Sequence, residues 1–249
     1  MIDLHCHLLP GVDDGPNSME ESLALARAAW AEGVRTIVVT PHARDWELHR
    51  RGQELEPAVE RLQKGLREAG IDLTLVPGME VDLDEALPSR LRDGRARPLG
   101  RGPYVLVELP FLAYAMYIDQ VIFHTQLAGW RPILAHVERY VYFQERPELL
   151  AALLQRGVLA QVSAGSLLGE LGPTVRNTVL LFLRRGLVHC LATDAHAASG
   201  SRAPCLSSAL ACAASYVGQE RALAMVRTVP EYILAGRSVE DVLHALTPC

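Results

Sequence analysis

The sequence predicts one α/β domain of seven strand–helix units around a parallel sheet, the layout that closes into a barrel. Three observations lead there. Short, nearly continuous apolar runs alternate with amphipathic helical segments, as in strands covered on both faces. The 249 residues suit one such domain, and no Pro- or Ser-rich linker or low-complexity stretch divides them. Residues able to bind metal recur just after the predicted strands. Most gaps between them are about 28 to 38 residues, roughly the length of one strand–helix unit.

Residues 2–5 read as the first strand, and 10–16 (Pro-Gly-Val-Asp-Asp-Gly-Pro) as a loop dense in turn formers. Ser18 with Glu21 three residues on predicts a capping box that opens a helix. Leu23, Ala26, Ala29 and Trp30 give this helix a core face, and Gly33 ends it. Residues 36–40 are β-branched and apolar, a second strand ending at Pro41-His42. A polar segment over 43–56 leads to a helix near 57–69. The third strand is 73–76, followed by a short helix over 84–92. The fourth is 104–107, followed by a helix over about 116–128. The fifth is 132–135, with a helix near 147–155. The sixth is 159–162, with a helix over 174–185, and the seventh is 188–192. From Leu206 onward the chain reads as helical, with breaks at Gly218 and Gly236.

Composition narrows the function classes. The chain is 49% hydrophobic and 21% charged, as expected of a folded globule with a large core. A net charge of −5 gives no footprint for nucleic acid. It does not forbid an anionic substrate, because bound divalent ions set the local field at a metal site. The longest apolar runs, 179–183 and 187–192, are far too short to span a membrane, and the first residues lack the pattern of a signal peptide. The five cysteines, Cys6, Cys190, Cys205, Cys212 and Cys249, are odd in number and form no C-x-x-C pair, so free thiols in a reducing cytoplasm are expected.

The candidate ligands are His5, His7, Asp14, His42, Glu80, Glu108, His136, Asp194 and His196. In a barrel of such units the strand ends form one ring, where barrel enzymes keep their chemistry. Nine ligands exceed what one ion takes, so two or three metals with bridging carboxylates are expected. His5 and His7 stand at i and i+2 on a strand and face the same way, whereas Cys6 should point away into packing. Asp194 and His196 repeat that spacing. Taken alone, Asp13-Asp14-Gly15 reads as a turn before it reads as a ligand. Pro41 restricts the residue before it to extended geometry and can hold His42 toward the strand ends. Glu80 and Glu108 close apolar strands, where a carboxylate is costly unless paired, hydrogen-bonded or metal-bound. Glu138 reads as an ion-pairing or supporting residue rather than a ligand.

Imidazole plus carboxylate without thiolate suits manganese, iron or zinc in a catalytic site. Several carboxylate-held ions point to hydrolysis at phosphorus. Arg139 and Arg202, each a few residues past a candidate ligand, could grip a phosphate with a bidentate fork. Competing chemistries lack their motifs. The sixth residues after Cys6, Cys190, Cys205 and Cys212 are Val12, His196, Ala211 and Gly218, so no cysteine has the arginine that a cysteine phosphatase needs. There is no G-x-S-x-G elbow and no phosphate-binding G-x-x-x-x-G-K-[ST] loop.

The opening Ile2-Asp3-Leu4-His5-Cys6-His7 resembles the first motif of the polymerase and histidinol phosphatase (PHP) superfamily. Gly11-Val12-Asp13-Asp14-Gly15, Thr40-Pro41-His42, Ala135-His136-Val137-Glu138-Arg139-Tyr140 and Thr193-Asp194-Ala195-His196 resemble one branch of it more narrowly. That branch is the bacterial metal-dependent protein-tyrosine phosphatases encoded with capsule and exopolysaccharide genes. The likeness runs from Met1 to about Arg237.

The resemblance implies a distorted seven-stranded β/α barrel and a site for three divalent ions, usually manganese. On matching positions, His5, His7, Glu80 and Asp194 would bind one ion; Glu80, Glu108 and His136 a second; Asp14, His42 and His196 a third. It also implies phosphate contacts from Arg139 and Arg202, although this chain has Arg202-Ala203-Pro204 where the branch usually has Arg-Pro-Pro. The implied activity is hydrolysis of phosphotyrosine by attack of a metal-bound hydroxide on phosphorus. The implied substrate is the cytoplasmic tail of a membrane-anchored tyrosine kinase of polysaccharide assembly. An oligomer is compatible with this reading. Trp46, Phe111, Tyr114 and Tyr117, on segments 43–56 and 110–117, are candidates to receive the substrate ring, with buried packing expected for at least half of them. Rival readings are a histidinol-phosphate phosphatase, a broader phosphodiesterase or nuclease, and a structural domain without turnover.

Overall fold

Among the described residues eight parallel strands frame the protein, one more than the sequence predicts. The structure, a computed structural model, describes residues 1–49 and 54–247. The centre of the polar segment 43–56 and the thiol expected at Cys249 lie outside the described residues. The strands are β1 (Ile2–Cys6), β2 (Thr36–Val39), β3 (Thr74–Pro77), β4 (Glu80–Asp82), β5 (Tyr104–Glu108), β6 (Arg131–Leu134), β7 (Leu159–Ser163) and β8 (Cys190–Ala192). They form two sheets, ordered β1-β2-β3 and β4-β5-β6-β7-β8. Every pairing is parallel.

The expected single seven-stranded barrel is therefore corrected to a three-stranded and a five-stranded sheet. The cause is a break after the third strand. β3 pairs with β2, the chain crosses at Gly78-Met79, and β4 pairs with β5 instead. Gly78 makes the crossing sterically workable. A Cβ there would lie 2.8 Å from Val38 Cγ1 and 3.1 Å from Leu99 Cδ2. The two sheets meet through isolated parallel bridges, Cys6 with Ala195 and His42 with Glu80. The bonds His7 N–Ala195 O (2.9 Å), Asp194 N–His5 O (2.8 Å) and Glu80 N–Pro41 O (3.2 Å) join the same places. These contacts lie at or just past the ends of β1, β2 and β8 and at the start of β4, where the candidate residues stand.

The helices are α1 (Met19–Ala31), α2 (Ala43–His49), α3 (Leu55–Glu68), α4 (Leu87–Arg92), α5 (Ile118–Leu127), α6 (Val141–Glu145), α7 (Pro147–Gln155), α8 (Ala164–Leu168), α9 (Pro173–Arg184), α10 (Leu206–Val217), α11 (Gln219–Val226), α12 (Thr228–Leu234) and α13 (Val239–His244). The one-turn helices α6 and α8 and a 3-10 turn at Val137–Arg139 have no counterpart in the sequence reading, because single turns carry no periodicity. At the start of α1, Ser18 Oγ accepts from Glu21 N (3.2 Å), as a cap should. Glu21 Oε2 reaches Asn17 N (2.8 Å) rather than Ser18 N, so the expected capping box is displaced by one residue.

The core follows the apolar pattern. Leu4, Ile37, Val38, Val105, Leu106, Ile133, Leu134 and Val162 are essentially inaccessible, as strands covered on both faces must be. α3 turns Leu55, Val59, Leu62 and Leu66 inward at helical spacing. Among the described residues, no helix is long and apolar enough to cross a membrane.

The break at Gly78 yields a test. Gly78→Ala should destabilise the fold by about 1–3 kcal/mol through overpacking, read as a lower urea midpoint. An unchanged midpoint would show that Val38 and Leu99 yield freely.

Candidate metal centre

All nine predicted ligands and both predicted arginines converge on one cluster, most at or just past carboxyl ends of strands and Glu80 at the start of β4. His5 lies in β1, and His7 just beyond it on the same face. Their Nε2 atoms stand 3.1 Å apart. β1 shifts register against β2 between Asp3 and Cys6, a local irregularity of the kind that re-aims side chains near a site. Cys6 behaves as expected: its side chain is buried, with Sγ 3.6 Å from the Ala195 carbonyl.

Glu80, the first residue of β4, sits at the centre and is 1% exposed. Its Oε2 lies 3.3 Å from His5 Nε2, 3.4 Å from His7 Nε2 and 3.0 Å from His42 Nδ1, and its Oε1 lies 2.8 Å from His136 Nε2. Asp194 Oδ1 faces the same two imidazoles, at 3.4 Å from His5 and 3.7 Å from His7. Glu108 ends β5 and reaches His136 Nε2 at 3.3 Å. On the outer side, Asp14 Oδ1 lies 3.0 Å from His196 Nε2 and 3.7 Å from His42 Nε2. Ligand atoms also lie within 4.8 Å of one another in three overlapping sets: His7 with Asp14, His42 and His196; His5 with His7 and Glu80; and His42 with Glu80 and Glu108. His7 and His42 thus each border two clusters. The pair distances tie Asp194 to His5 and His7, and His136 to Glu80 and Glu108.

The donor set fits cations. His5 Nδ1 bonds Gln161 Oε1 (3.2 Å), His7 Nδ1 bonds Asp13 Oδ2 (2.7 Å) and His196 Nδ1 bonds the Asp194 carbonyl (2.8 Å). These oxygens accept, so each Nδ1 carries the proton and each Nε2 offers a lone pair. Two such lone pairs face each other at 3.1 Å between His5 and His7 and beside two carboxylates. That arrangement calls for positive charge between them. Fixing each imidazole through its far nitrogen is also how metal-binding histidines are held.

The electrostatics agree. Burial pulls the His5 pKa down, yet the charges of Glu80 and Asp194 overcome it and push it up to about 10. His42 and His136 are likewise driven up to about 9 against burial, by Glu80 for His42 and by Glu108 and Glu80 for His136. Burial disfavours charge on Glu80 and Asp194 too, but His5 beside them holds both below the ordinary carboxylate range. The pocket is a well of negative potential that protons fill when nothing else does.

The turn and ligand readings of Asp13-Asp14-Gly15 divide between the two aspartates. Asp13 makes the turn, with Oδ1 accepting from Gly15 N (3.0 Å), while its other oxygen orients His7 and accepts from His42 N (3.1 Å). Asp14 faces the cluster. Gly15 has no room for a side chain, since a Cβ would meet the His7 carbonyl oxygen at 2.6 Å. Glu138 is fully buried and accepts from Ser163 N (3.0 Å). It makes no ion pair among the described residues and braces β7 against the 3-10 turn.

Three supporting residues escaped the sequence reading: Asp13 as a positioning group, Gln161 and Asp3. Gln161 Oε1 takes His5 Nδ1 and also the His136 backbone N–H (3.0 Å). Asp3, buried, accepts from Thr193 N (2.9 Å) and from the Thr193 hydroxyl, clipping β1 to the end of β8. The available signal was a polar residue inside an apolar strand. His136 and Asp194 are the non-glycine residues with positive φ, 32° and 53°. Such backbone is costly and concentrates at functional sites.

Arg139 Nη1 lies 3.3 Å from Asp194 Oδ2, with the guanidinium partly exposed. Arg202 reaches the cluster despite its altered flank: Nη1 lies 2.6 Å from Asp14 Oδ2 and Nη2 2.6 Å from His196 Nε2. Of the aromatic candidates, Trp46 is buried. Tyr114 donates its hydroxyl to Asp119 (2.8 Å), and Tyr117 precedes α5 half-buried. Phe111 lies against His136.

With this geometry in view, known proteins give a context. A family model described as capsular polysaccharide synthesis, CpsB/CapC, matches residues 1–235. The tyrosine-protein phosphatase YwqE of Bacillus subtilis is 35% identical over 196 residues, covering 79% of this chain and 77% of its own. The tyrosine-protein phosphatase CpsB of Streptococcus pneumoniae is 28% identical over 239 residues, covering 94% and 98%. A crystal structure from work on these two proteins, described as unique metal-dependent tyrosine phosphatases, superposes with a TM-score of 0.88 at 32% identity over 96% of each chain. A lactonase from Listeria monocytogenes shares the fold at 10% identity and a TM-score of 0.51, covering 99% of this chain and 94% of its own.

Two predictions follow from the charge and support of the cluster. Between pH 6.5 and about 9, the folded ion-free site binds more protons than the unfolded chain, through His5, His42 and His136. Stability of chelator-stripped protein should therefore fall as pH rises through this window. His196, held below its ordinary value by burial, acts only below it. Ions compete with those protons, so the stabilisation by Mn²⁺ should grow over the same range. Thermal unfolding at both ends of the window, with and without Mn²⁺, checks both signs; a rising Tm of stripped protein would contradict the assignment. Asp13→Ala, which frees the His7 ring, should weaken Mn²⁺ binding by roughly 10–100-fold in calorimetric titration.

Proposed function

The chain belongs to the CpsB/CapC family, and from that premise we propose that it is a metal-dependent protein-tyrosine phosphatase. The observation that carries this reading is the convergence of lone pairs and carboxylates on cation-sized spaces, with two arginines at the rim. Relatives named tyrosine-protein phosphatases support the substrate class.

His5, His7, Glu80 and Asp194 would hold one divalent ion; Glu80, Glu108 and His136 a second; Asp14, His42 and His196 a third. Manganese suits this mixture of imidazole and carboxylate, as do iron and zinc. Bound ions supply Lewis-acid stabilisation of phosphate oxygens and acidify water near neutral pH. The chain's own groups do the rest. Arg139 and Arg202 stand where the cluster opens to solvent, placed to bind phosphate oxygens and to offset charge that grows in the transition state. Tyrosine leaves with an ordinary pKa of about 10, a fair leaving group that needs little help from a general acid. A cysteine nucleophile is disfavoured: Cys6 points away from the cluster, and burial pushes its thiol well above the ordinary range.

We place the enzyme in the cytoplasm as a single domain over residues 1–249. The proposed target is the phosphorylated tail of a membrane-anchored tyrosine kinase that acts in polysaccharide assembly.

Chelator-stripped protein should release phosphate from a phosphotyrosine peptide only after Mn²⁺ is added, and release little from histidinol phosphate. Preference for histidinol phosphate would move the protein to another branch of this chemistry, and no release from either by ion-loaded protein would end the phosphatase reading. Arg139→Ala should lower kcat/KM on the peptide by roughly 10²–10³, with Mn²⁺ stoichiometry unchanged.

A further inference from the structure

We propose that Phe111 is a positioning residue that orients both the His136 imidazole and the Arg139 guanidinium. Its effect on turnover rests on the phosphatase reading above; its effect on ion binding does not.

Three hydrogen bonds pin the stretch after β5 to the segment that follows His136. Leu109 N donates to the Tyr140 hydroxyl (2.9 Å), the Tyr142 hydroxyl donates to the Pro110 carbonyl (2.8 Å), and Val141 N donates to the Phe111 carbonyl (3.2 Å). So anchored, the Phe111 ring lies nearly parallel to the His136 ring, with centroids 5.5 Å apart and planes 18° apart. The Arg139 guanidinium carbon stands 4.9 Å from the Phe111 centroid, within cation–π range. One ring therefore touches a candidate ligand and a candidate phosphate-binding group.

The need for such a ring comes from what His136 lacks. His5, His7 and His196 each have Nδ1 held by an oxygen. His136 Nδ1 is buried with no hydrogen-bond partner. Gln161 fixes the His136 backbone, but among the described residues no polar group bonds the far nitrogen of its ring. The flat face of Phe111 takes over that duty by packing. Arg139 is similarly under-constrained: among the described residues, its guanidinium has a 3.3 Å polar contact with Asp194. An aromatic face limits where so long a side chain can swing, which lowers the ordering cost of binding an anion.

The test uses full-length protein with Phe111→Leu, Phe111→Met and Phe111→Tyr. Leu and Met keep apolar bulk without a flat π face, and Tyr restores it. Mn²⁺ titration of stripped protein should show the weakest ion bound on the order of ten-fold less tightly in the Leu and Met variants, and as in wild type in the Tyr variant. On phosphotyrosine peptide, Phe111→Leu should raise KM several-fold more than it lowers kcat. In an Arg139→Ala background the same substitution should leave KM unchanged, because the group it positions is gone. An equal rise in KM in both backgrounds at saturating Mn²⁺, or failure of Tyr to restore Mn²⁺ affinity in folded protein, would overturn the proposal. If wild type releases no phosphate, the functional reading fails, and the Mn²⁺ comparison still decides the role of Phe111. Should the Leu variant not fold, the Met and Tyr pair carries the same comparison.

Discussion

A carboxylate that is 1% exposed and lies within 3.4 Å of four imidazoles is the constraint on which the rest of this structure turns. Buried charge is tolerated only when it is neutralised at close range. Glu80 satisfies this by drawing His5, His7, His42 and His136 from three different strand ends around itself. It can do so only because the chain breaks at Gly78-Met79, carrying Glu80 away from β3 and into register with β5. An unbroken third strand would form a more regular sheet and leave the centre of the cluster empty.

Around that centre runs a set of buried polar groups whose work is geometric. Asp13 and Gln161 hold the far nitrogens of His7 and His5, and Asp3 ties β1 to β8 through Thr193. Each has its own burial offset by hydrogen bonds that also orient a neighbour. Left-handed backbone at His136 and Asp194 adds strain of about 1–3 kcal/mol per residue. The surrounding sheet must supply that stability. The site is thus a region where local preference yields to the placement of charge.

Exposure is graded across the site. His5 and His7 are fully buried, whereas Asp14 and Arg202 are about half exposed and Arg139 about one-third. The solvent-facing rim of the cluster therefore carries two arginines beside the Asp14 carboxylate, in a protein whose net charge is −5. Arg202 contacts His196 Nε2 directly and takes Asp14 through Oδ2, the oxygen turned away from His42 and His196, so its position is tied to both residues.

The candidate ligands were legible in the sequence because strand ends recur with the length of a strand–helix unit, and because i, i+2 pairs on a strand must share a face. His5-Cys6-His7 follows that rule, whereas Asp194 and His196 lie beyond β8 and face different parts of the cluster. Parallel strands, α7 at 147–155 and the inward placement of Cys6 were readable for the same reason: side-chain period is a local property. The division of the sheet at Gly78, the orientation of His7 by Asp13, and the packing of Phe111 against both His136 and Arg139 were not. Each depends on which atoms from distant segments arrive at the same few ångströms, and only packing of the whole chain decides that. The sequence by itself determined the kind of chemistry and the residues that could perform it. The tertiary structure decided which nitrogen of each imidazole faces inward, what Asp13 does beside Asp14, and that Arg202 reaches the cluster, since these are set by contacts between residues up to 188 positions apart.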